Sequence, residues 1–321
     1  MNDIRIHFDI IADIHGRFDK LEALLARLGY RHDGTSYVPP AGRCALFLGD
    51  LIDPKPGHVC PGSVRATLHA VKAMADRGQA RVIMGNHEFN AICYHTPGRT
   101  EKWLRHHGDK NQATHQGTLD DFPDHKDPAG EWQTLWMPWL KCLPLFLDLN
   151  GLRAVHACWH PQHIALLDGR TLEDEDFLHA AADKTTPEGE AIEIVLKGIE
   201  VPLPPPHGFF DHTGVWRKNF RARWWELPAD GIDCRDLVFP ANHAIPNIPV
   251  PPDAAAMFQP YPAGAAPVFF GHYFKPADAA LDPERPNVAC LDHSGAKDGP
   301  LVAYRWNGES LINPGHYVTH A

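Results

Sequence analysis

Asp13 and His15, Asp50 and Asp53, Asn86 and His87, His156, and His272 each lie just past a short apolar run of this chain. All of them carry oxygen or nitrogen donors, and no cysteine is among them. Imidazole, carboxylate and amide oxygen suit borderline-to-hard divalent ions such as manganese, iron, zinc or cobalt. So many donors exceed the need of one ion, and a pair of ions about 3.5 to 4 Å apart is the natural reading.

The elements that must position these groups repeat one plan. A strand over Ile4 to Ile11 runs into ADIHG, and a helix follows in DKLEALLARLGY with Leu21, Leu24, Leu25 and Leu28 on one face. A second strand, Ala45 to Leu48, empties into GDLID, and a helix from about Val64 to Asp76 leads to a third strand, Val82 to Met84, which empties into GNHE. Alternating strands and helices imply parallel neighbours, so these loops share one sheet edge. LFLDLNGLRAVHACWH reads as a hairpin turning at Asn150 and Gly151, its second strand running into His156. APVFFGHYF is a further buried strand ending at His272, and the tail from Asn287 reads as short antiparallel strands with a turn at Asn307 and Gly308. His160 and His163 mark a helix start with Pro161 in its first turn, and His7 and His293 read as structural. Trp132, Trp136 and Trp139 recur at helical spacing and suit packing.

Two stretches fit no element plan. Residues 97–130 are polar and read as an insertion or lid, with His106, His107, His115 and His125 as solvated loop side chains. Residues 170–265 hold a charged helical stretch from about 171 to 206, ending in Pro202, Pro204, Pro205 and Pro206, and a second proline-rich segment from about 246, and read as irregular excursions rather than an independent domain. A length of 321 residues suits one elaborated domain, residues 1–321, carrying both insertions, with two domains as the second choice. A net charge of −10 disfavours duplex nucleic acid and anionic membrane as partners. Seven cysteines without zinc-ribbon or CxxC spacing read as reduced thiols. With no apolar signal core and no run near the roughly 20 residues of a membrane helix, a cytoplasmic location is expected.

Taken in order, DIHG, GDLID, GNHE, VHA and GH resemble the calcineurin-like metallophosphoesterases, and specifically their phosphoprotein-phosphatase branch with its small bacterial protein phosphatases and diadenosine tetraphosphatases. The resemblance implies a four-layer α/β/β/α sandwich with two facing mixed β-sheets. It implies Asp13 and His15 on a first metal, Asp50 bridging two, and Asn86, His156 and His272 completing the second. It further implies a bridging hydroxide as nucleophile, His87 as general acid held by Asp53, and Glu88 as a support. Manganese is the first expectation for the two divalent ions, with iron, zinc, cobalt or magnesium as alternatives.

The chain departs from that family pattern in places. Where arginines are usual, Pro54 follows GDLID and Met84 precedes GNHE; Phe274 stands where a related branch has the last histidine of GHxH. Lys55 offers a point charge in place of an arginine fork, and Arg217, Arg221 and Arg223 are further candidates for gripping phosphate or for ordinary ion pairing. The leading expectation is a metal-dependent phosphomonoesterase acting on a phosphorylated small molecule, nucleotide or phosphoprotein. A dinucleoside polyphosphate pyrophosphohydrolase is the alternative, a non-catalytic metal-binding scaffold comes third, and a nuclease is disfavoured.

Overall fold

The computed structural model describes residues 7–100, 102–211, 214–229 and 231–321; the expected strand residues Ile4 to Ile6 lie outside them. Period-two alternation builds the centre of the molecule. In strand His7–Ile11, Phe8 and Ile10 face one way while Ile11 faces the other; in strand Arg43–Phe47, Cys44 and Leu46 oppose Ala45 and Phe47. The first set meets Leu152, Ala154, Phe269 and Ala289 of a second sheet in a closed apolar layer. Fully burying each large side chain there contributes roughly 1.5 to 3 kcal/mol. The opposite faces join Leu21, Leu24, Val64 and Leu68 of helices Phe18–Arg27 and Ser63–Asp76 on one side, and Val195, Leu196, Trp224 and Trp225 on the other. Helix, sheet, sheet and helix layers result, as the resemblance implied.

The first sheet has five strands in the order Tyr317–Thr319, Val302–Trp306, His7–Ile11, Arg43–Phe47, Ala80–Val82, the last three parallel and the first two antiparallel to their neighbours. The second has four, in the order Val288–Cys290, Val268–Phe270, Leu152–Val155, Phe146–Leu149, the first three parallel and the hairpin antiparallel. The parallel strands of both sheets end where the candidate donors begin.

Some expectations need correction. The third strand is Ala80–Val82, because the Met84 N–H leaves the ladder to donate to the Pro144 carbonyl. In the tail, Val288–Cys290 is parallel and belongs to the second sheet, since it pairs with Val268–Phe270. The polar stretch 97–130 holds a helix, Asp109–Asp121, that packs on the Ser63–Asp76 helix. The charged stretch from about 171 to 206 is helical as expected: it holds helices Glu175–Ala182 and Pro187–Lys197, whose Phe177, Leu178, Ile192 and Val195 enter the main core. Among the described residues, no helix is long and apolar enough to cross a membrane.

Candidate metal centre

Close backbone approach comes first. A Cβ on Gly85 would lie 2.4 Å from Asp50 Oδ1, and one on Gly271 would lie 1.9 Å from Asp13 Oδ1. Glycine before Asn86 and before His272 is therefore what lets strand ends of the two sheets converge. His15, Asp50, Asp53 and His272 have φ of 49°, 52°, 61° and 73°, a left-handed region costly for such residues. The buried Glu88 carboxylate helps hold that backbone. It accepts from the N–H groups of Asp50 and Leu51, both at 2.8 Å, and of Gly85 at 3.0 Å, tying the second loop to the third. Burial and the neighbouring Asp50 charge push Glu88 up to about 7.

The donor atoms converge on Asp50. His15 Nε2 lies 3.4 Å from Asp50 Oδ2, and His156 Nε2 lies 3.4 Å from Asp50 Oδ1. Asn86 Oδ1 is 3.1 Å from His156 Nε2 and 2.7 Å from His272 Nδ1. Two trios of ligating atoms, one from His15, Asp50 and His87, the other from Asp50, His156 and His272, each lie within 4.8 Å of one another. Asp50 is common to both, which is the arrangement a carboxylate shared by two ions requires. The first trio contains His87 where the sequence reading had Asp13. Asp13 is nonetheless at the site: its Oδ2 accepts from the His272 N–H at 2.9 Å.

The tautomers are set from behind. His15 Nδ1 donates to the carbonyls of Ile52 and Asp53, at 2.9 and 3.1 Å, and His156 Nδ1 donates to the Leu48 carbonyl at 2.7 Å. Each ring thereby turns Nε2 to the centre, the orientation a metal-binding imidazole takes.

Whether cations fit is answered by atoms left without partners. Asp13 Oδ1, His15 Nε2 and His272 Nε2 are buried and make no hydrogen bond among the described residues. Negative charge is crowded as well. Burial, then Asp292 and Asp50, push Asp13 well above the usual carboxylate range. Burial works against charge on His156, yet the Asp50 carboxylate outweighs it and holds the imidazole up to about 10. Within the protein alone, a proton there supplies the positive charge that a cation would bring. The donor set fits divalent ions.

Beside the trios stands His87, whose Nδ1 donates to Asp53 Oδ2 at 2.7 Å while Nε2 lies 4.0 Å from Asp50 Oδ2. Burial opposes ionisation of Asp53, but His115 and His87 hold it well below the usual carboxylate range. Lys55 Nζ is 3.4 Å from His87 Nε2 and 4.9 Å from the centre of the Phe274 ring, which itself stacks near His15. Lys55 is thus at the site. Arg221, on strand Asn219–Arg221, is near enough that its charge, after burial, lowers the His272 pKa; its Nε lies 4.0 Å from Glu200 Oε1. The structure does not bring Arg217 to these groups: its guanidinium is paired with Asp211 in a short hairpin. Arg223 lies 3.8 Å from Glu226.

Sequence reasoning missed Asp292, His115 and Thr118. Asp292 follows strand Val288–Cys290 as the other donors follow theirs, and its buried carboxylate accepts from the N–H groups of Phe274 and Ser294 at 2.8 and 3.0 Å. Its position after an apolar run was the available signal. His115 is not the solvated loop side chain expected from its polar surroundings. It is 4% exposed and donates from Nδ1 to Asp53 Oδ1 at 2.7 Å.

A four-layer sandwich with oxygen and nitrogen donors from both sheets gathered around one carboxylate is a metallophosphoesterase architecture. The chain belongs to the calcineurin-like phosphoesterase family, whose model matches residues 6–233 and whose members use a dinuclear divalent metal centre. Among curated proteins it is similar to bis(5'-nucleosyl)-tetraphosphatase PrpE (asymmetrical) of Halalkalibacterium halodurans, 39% identical over 82 residues, 26% of this chain and 31% of that protein. It is also similar to the protein of the same name from Oceanobacillus iheyensis, 33% identical over 157 residues, 49% and 57% of the two chains. The chain thus spans less than two thirds of the length of these relatives. Among solved structures, a cold-active protein-tyrosine phosphatase of a psychrophilic Shewanella species matches with a TM-score of 0.46 at 14% identity, covering 100% of this chain and 85% of that one. A protein serine/threonine phosphatase from Saccharomyces cerevisiae matches with a TM-score of 0.46 at 11% identity, over 99% and 79%.

Proposed function

We propose that the protein is a metal-dependent hydrolase of phosphoric monoesters. The observation that carries this reading is the pair of donor trios sharing Asp50, with the Asp53-held His87 beside them. Asp13, His15 and Asp50 would hold one divalent ion, and Asp50, Asn86, His156 and His272 the other, with manganese the first expectation. When bound, such ions supply positive charge to phosphoryl oxygens and make water a better nucleophile. The residues do the rest. Lys55 adds a cation beside His87, and Phe274 walls the flank of His15. As water oxygen bonds to phosphorus and releases its proton to solvent, the bond to the leaving oxygen breaks and its electron pair stays with that oxygen. The Nε2 proton of His87 moves to it, while Nδ1–H stays on Asp53. The imidazole then regains a proton from solvent.

Hydrolysis of a phosphoric anhydride in a dinucleoside polyphosphate is the second reading, favoured by the name of the partly matching relatives. The same residues serve it, with a phosphate as leaving group. One folded unit in the cytoplasm is proposed for either.

Turnover of p-nitrophenyl phosphate and of diadenosine tetraphosphate by metal-stripped protein, with Mn²⁺, Fe²⁺, Zn²⁺ and Mg²⁺ added separately, tests both. Metal-restored turnover is expected, and Asp50→Asn and His87→Asn are expected to lower kcat by about 10²-fold or more. The preferred compound decides between ester and anhydride. Stoichiometric metal without turnover of either compound would overturn both readings in favour of a scaffold.

A further inference from the structure

Helix Asp109–Asp121 lies in the polar stretch that the family motifs do not include, yet it reaches the acid pair directly. Asp53 Oδ2 receives His87 Nδ1–H; Oδ1 receives His115 Nδ1–H and the Thr118 hydroxyl, each at 2.7 Å. The Asp53 N–H donates back to Thr118 Oγ1 at 3.0 Å. With its backbone at φ 61°, Asp53 is clamped at both carboxylate oxygens and at its own amide. His115 Nε2 meets His95 Nε2 at 3.2 Å. His95 ends the helix Asn86–His95 that begins with Asn86 and His87. A closed circuit runs from His87 through Asp53 and His115 to His95 and back along one helix.

The helix also meets the loop at Pro54: a Cβ on Gly117 would lie 2.6 Å from Pro54 Cγ, so glycine is what lets helix and loop approach this closely.

We propose that His115 and Thr118 are positioning residues for the acid step, fixing the Asp53 carboxylate so that His87 presents its Nε2 proton to the leaving oxygen. The assignment rests on the hydrolase reading above, and its mark is dependence on the leaving group. A 2,4-dinitrophenolate departs without help from an acid, whereas an alkoxide does not. A misplaced His87 therefore slows alkyl phosphates far more than dinitrophenyl phosphate.

The test compares wild type with His115→Phe, His115→Asn and Thr118→Val, each loaded with the metal that best supports the wild type. His115→Phe is expected to lower kcat for an alkyl phosphate by roughly 10- to 100-fold and for 2,4-dinitrophenyl phosphate by no more than about 3-fold, with unchanged metal content. Asparagine places an N–H donor near the Nδ1 position and is expected to recover most of the loss; Thr118→Val is expected to share the pattern with a smaller amplitude. Independently of turnover, proton NMR of the diamagnetic Zn²⁺-loaded proteins should show a downfield Nδ1–H of His87 in wild type and His115→Asn that moves or broadens in His115→Phe. Equal losses on both substrates, loss of metal, or an unmoved His87 resonance in a folded His115→Phe protein would overturn the assignment while leaving the hydrolase reading in place. An inactive wild type would overturn the hydrolase reading and the assignment with it, whatever the resonances show.

Discussion

Glu88 shows how much of the site is built one residue behind the donors. Its carboxylate accepts from four backbone N–H groups in two loops, one of them that of the shared donor Asp50. Removing it orphans those donors, at roughly 1 to 3 kcal/mol each before relaxation. Glu88→Ala is therefore expected to lower unfolding stability by at least about 2 kcal/mol and to weaken metal affinity, as checked by urea denaturation and by metal titration. Glu88→Gln keeps the shape and an acceptor oxygen, and should lose less of both. Residues of this kind were legible when a compact motif carried them: GNHE presents donor, acid and support together. Asp292 stands in no such cluster, and its role is visible only because the chain returns it beside Asp13 and Lys55 from the other end of the sequence.

At the scale of elements, the strands were readable because their apolar runs are short and punctuated by glycine. Helix Asp109–Asp121 was not, for a physical reason: DKNQATHQGTLDD contains few apolar side chains, and what the helix buries is largely polar, His115, Gly117 and Thr118 along with Leu119. Its packing is specified by hydrogen bonds to Asp53 and by the Gly117 contact with Pro54, neither of which leaves a hydrophobic period. Gly117→Ala is expected to push the helix off the loop, since a Cβ at 2.6 Å from a ring carbon cannot be accommodated without movement. The expected result is a loss of about 1 to 3 kcal/mol of stability, as for other overpacked contacts. Pro54→Ala should restore part of that loss in the double variant, and thermal denaturation of the four proteins would measure the coupling. Additive effects would mean that the contact does not hold the helix.

Across the whole molecule, the two central sheets, the edge that carries the donors and the helical stretch holding Glu175–Ala182 and Pro187–Lys197 were legible, whereas the remainder to about residue 265 was not. Trp224 and Trp225 are adjacent and both buried, so no single-face periodicity announces them; they are covered from two sides by the second sheet, the loop around Phe239 and Tyr261. Folding of such a closed core also buries titratable groups that hold no hydrogen-bond partner, and their cost depends on pH. His293 is 1% exposed, and neither of its ring nitrogens finds a partner among the described residues. Burial, with the Lys275 charge adding, pulls its pKa down to about 4. The unfolded chain, with histidine near 6.5, binds the proton first as pH falls. His293 therefore leaves stability intact above about pH 6.5 and removes it progressively toward pH 4, by on the order of 2 to 3 kcal/mol. Glu88, raised to about 7, acts with the opposite sign between about pH 7 and 4.5, so the wild-type curve alone does not isolate the histidine. The difference between wild type and His293→Leu does, because only one group changes. Urea unfolding of chelator-treated protein at pH 7 and pH 4.5 is expected to show the variant gaining on wild type by about 2 kcal/mol between the two conditions. A constant difference at both pH values would mean that His293 titrates alike in the folded and unfolded chain, and the buried imidazole would then be meeting water that opens this part of the sandwich.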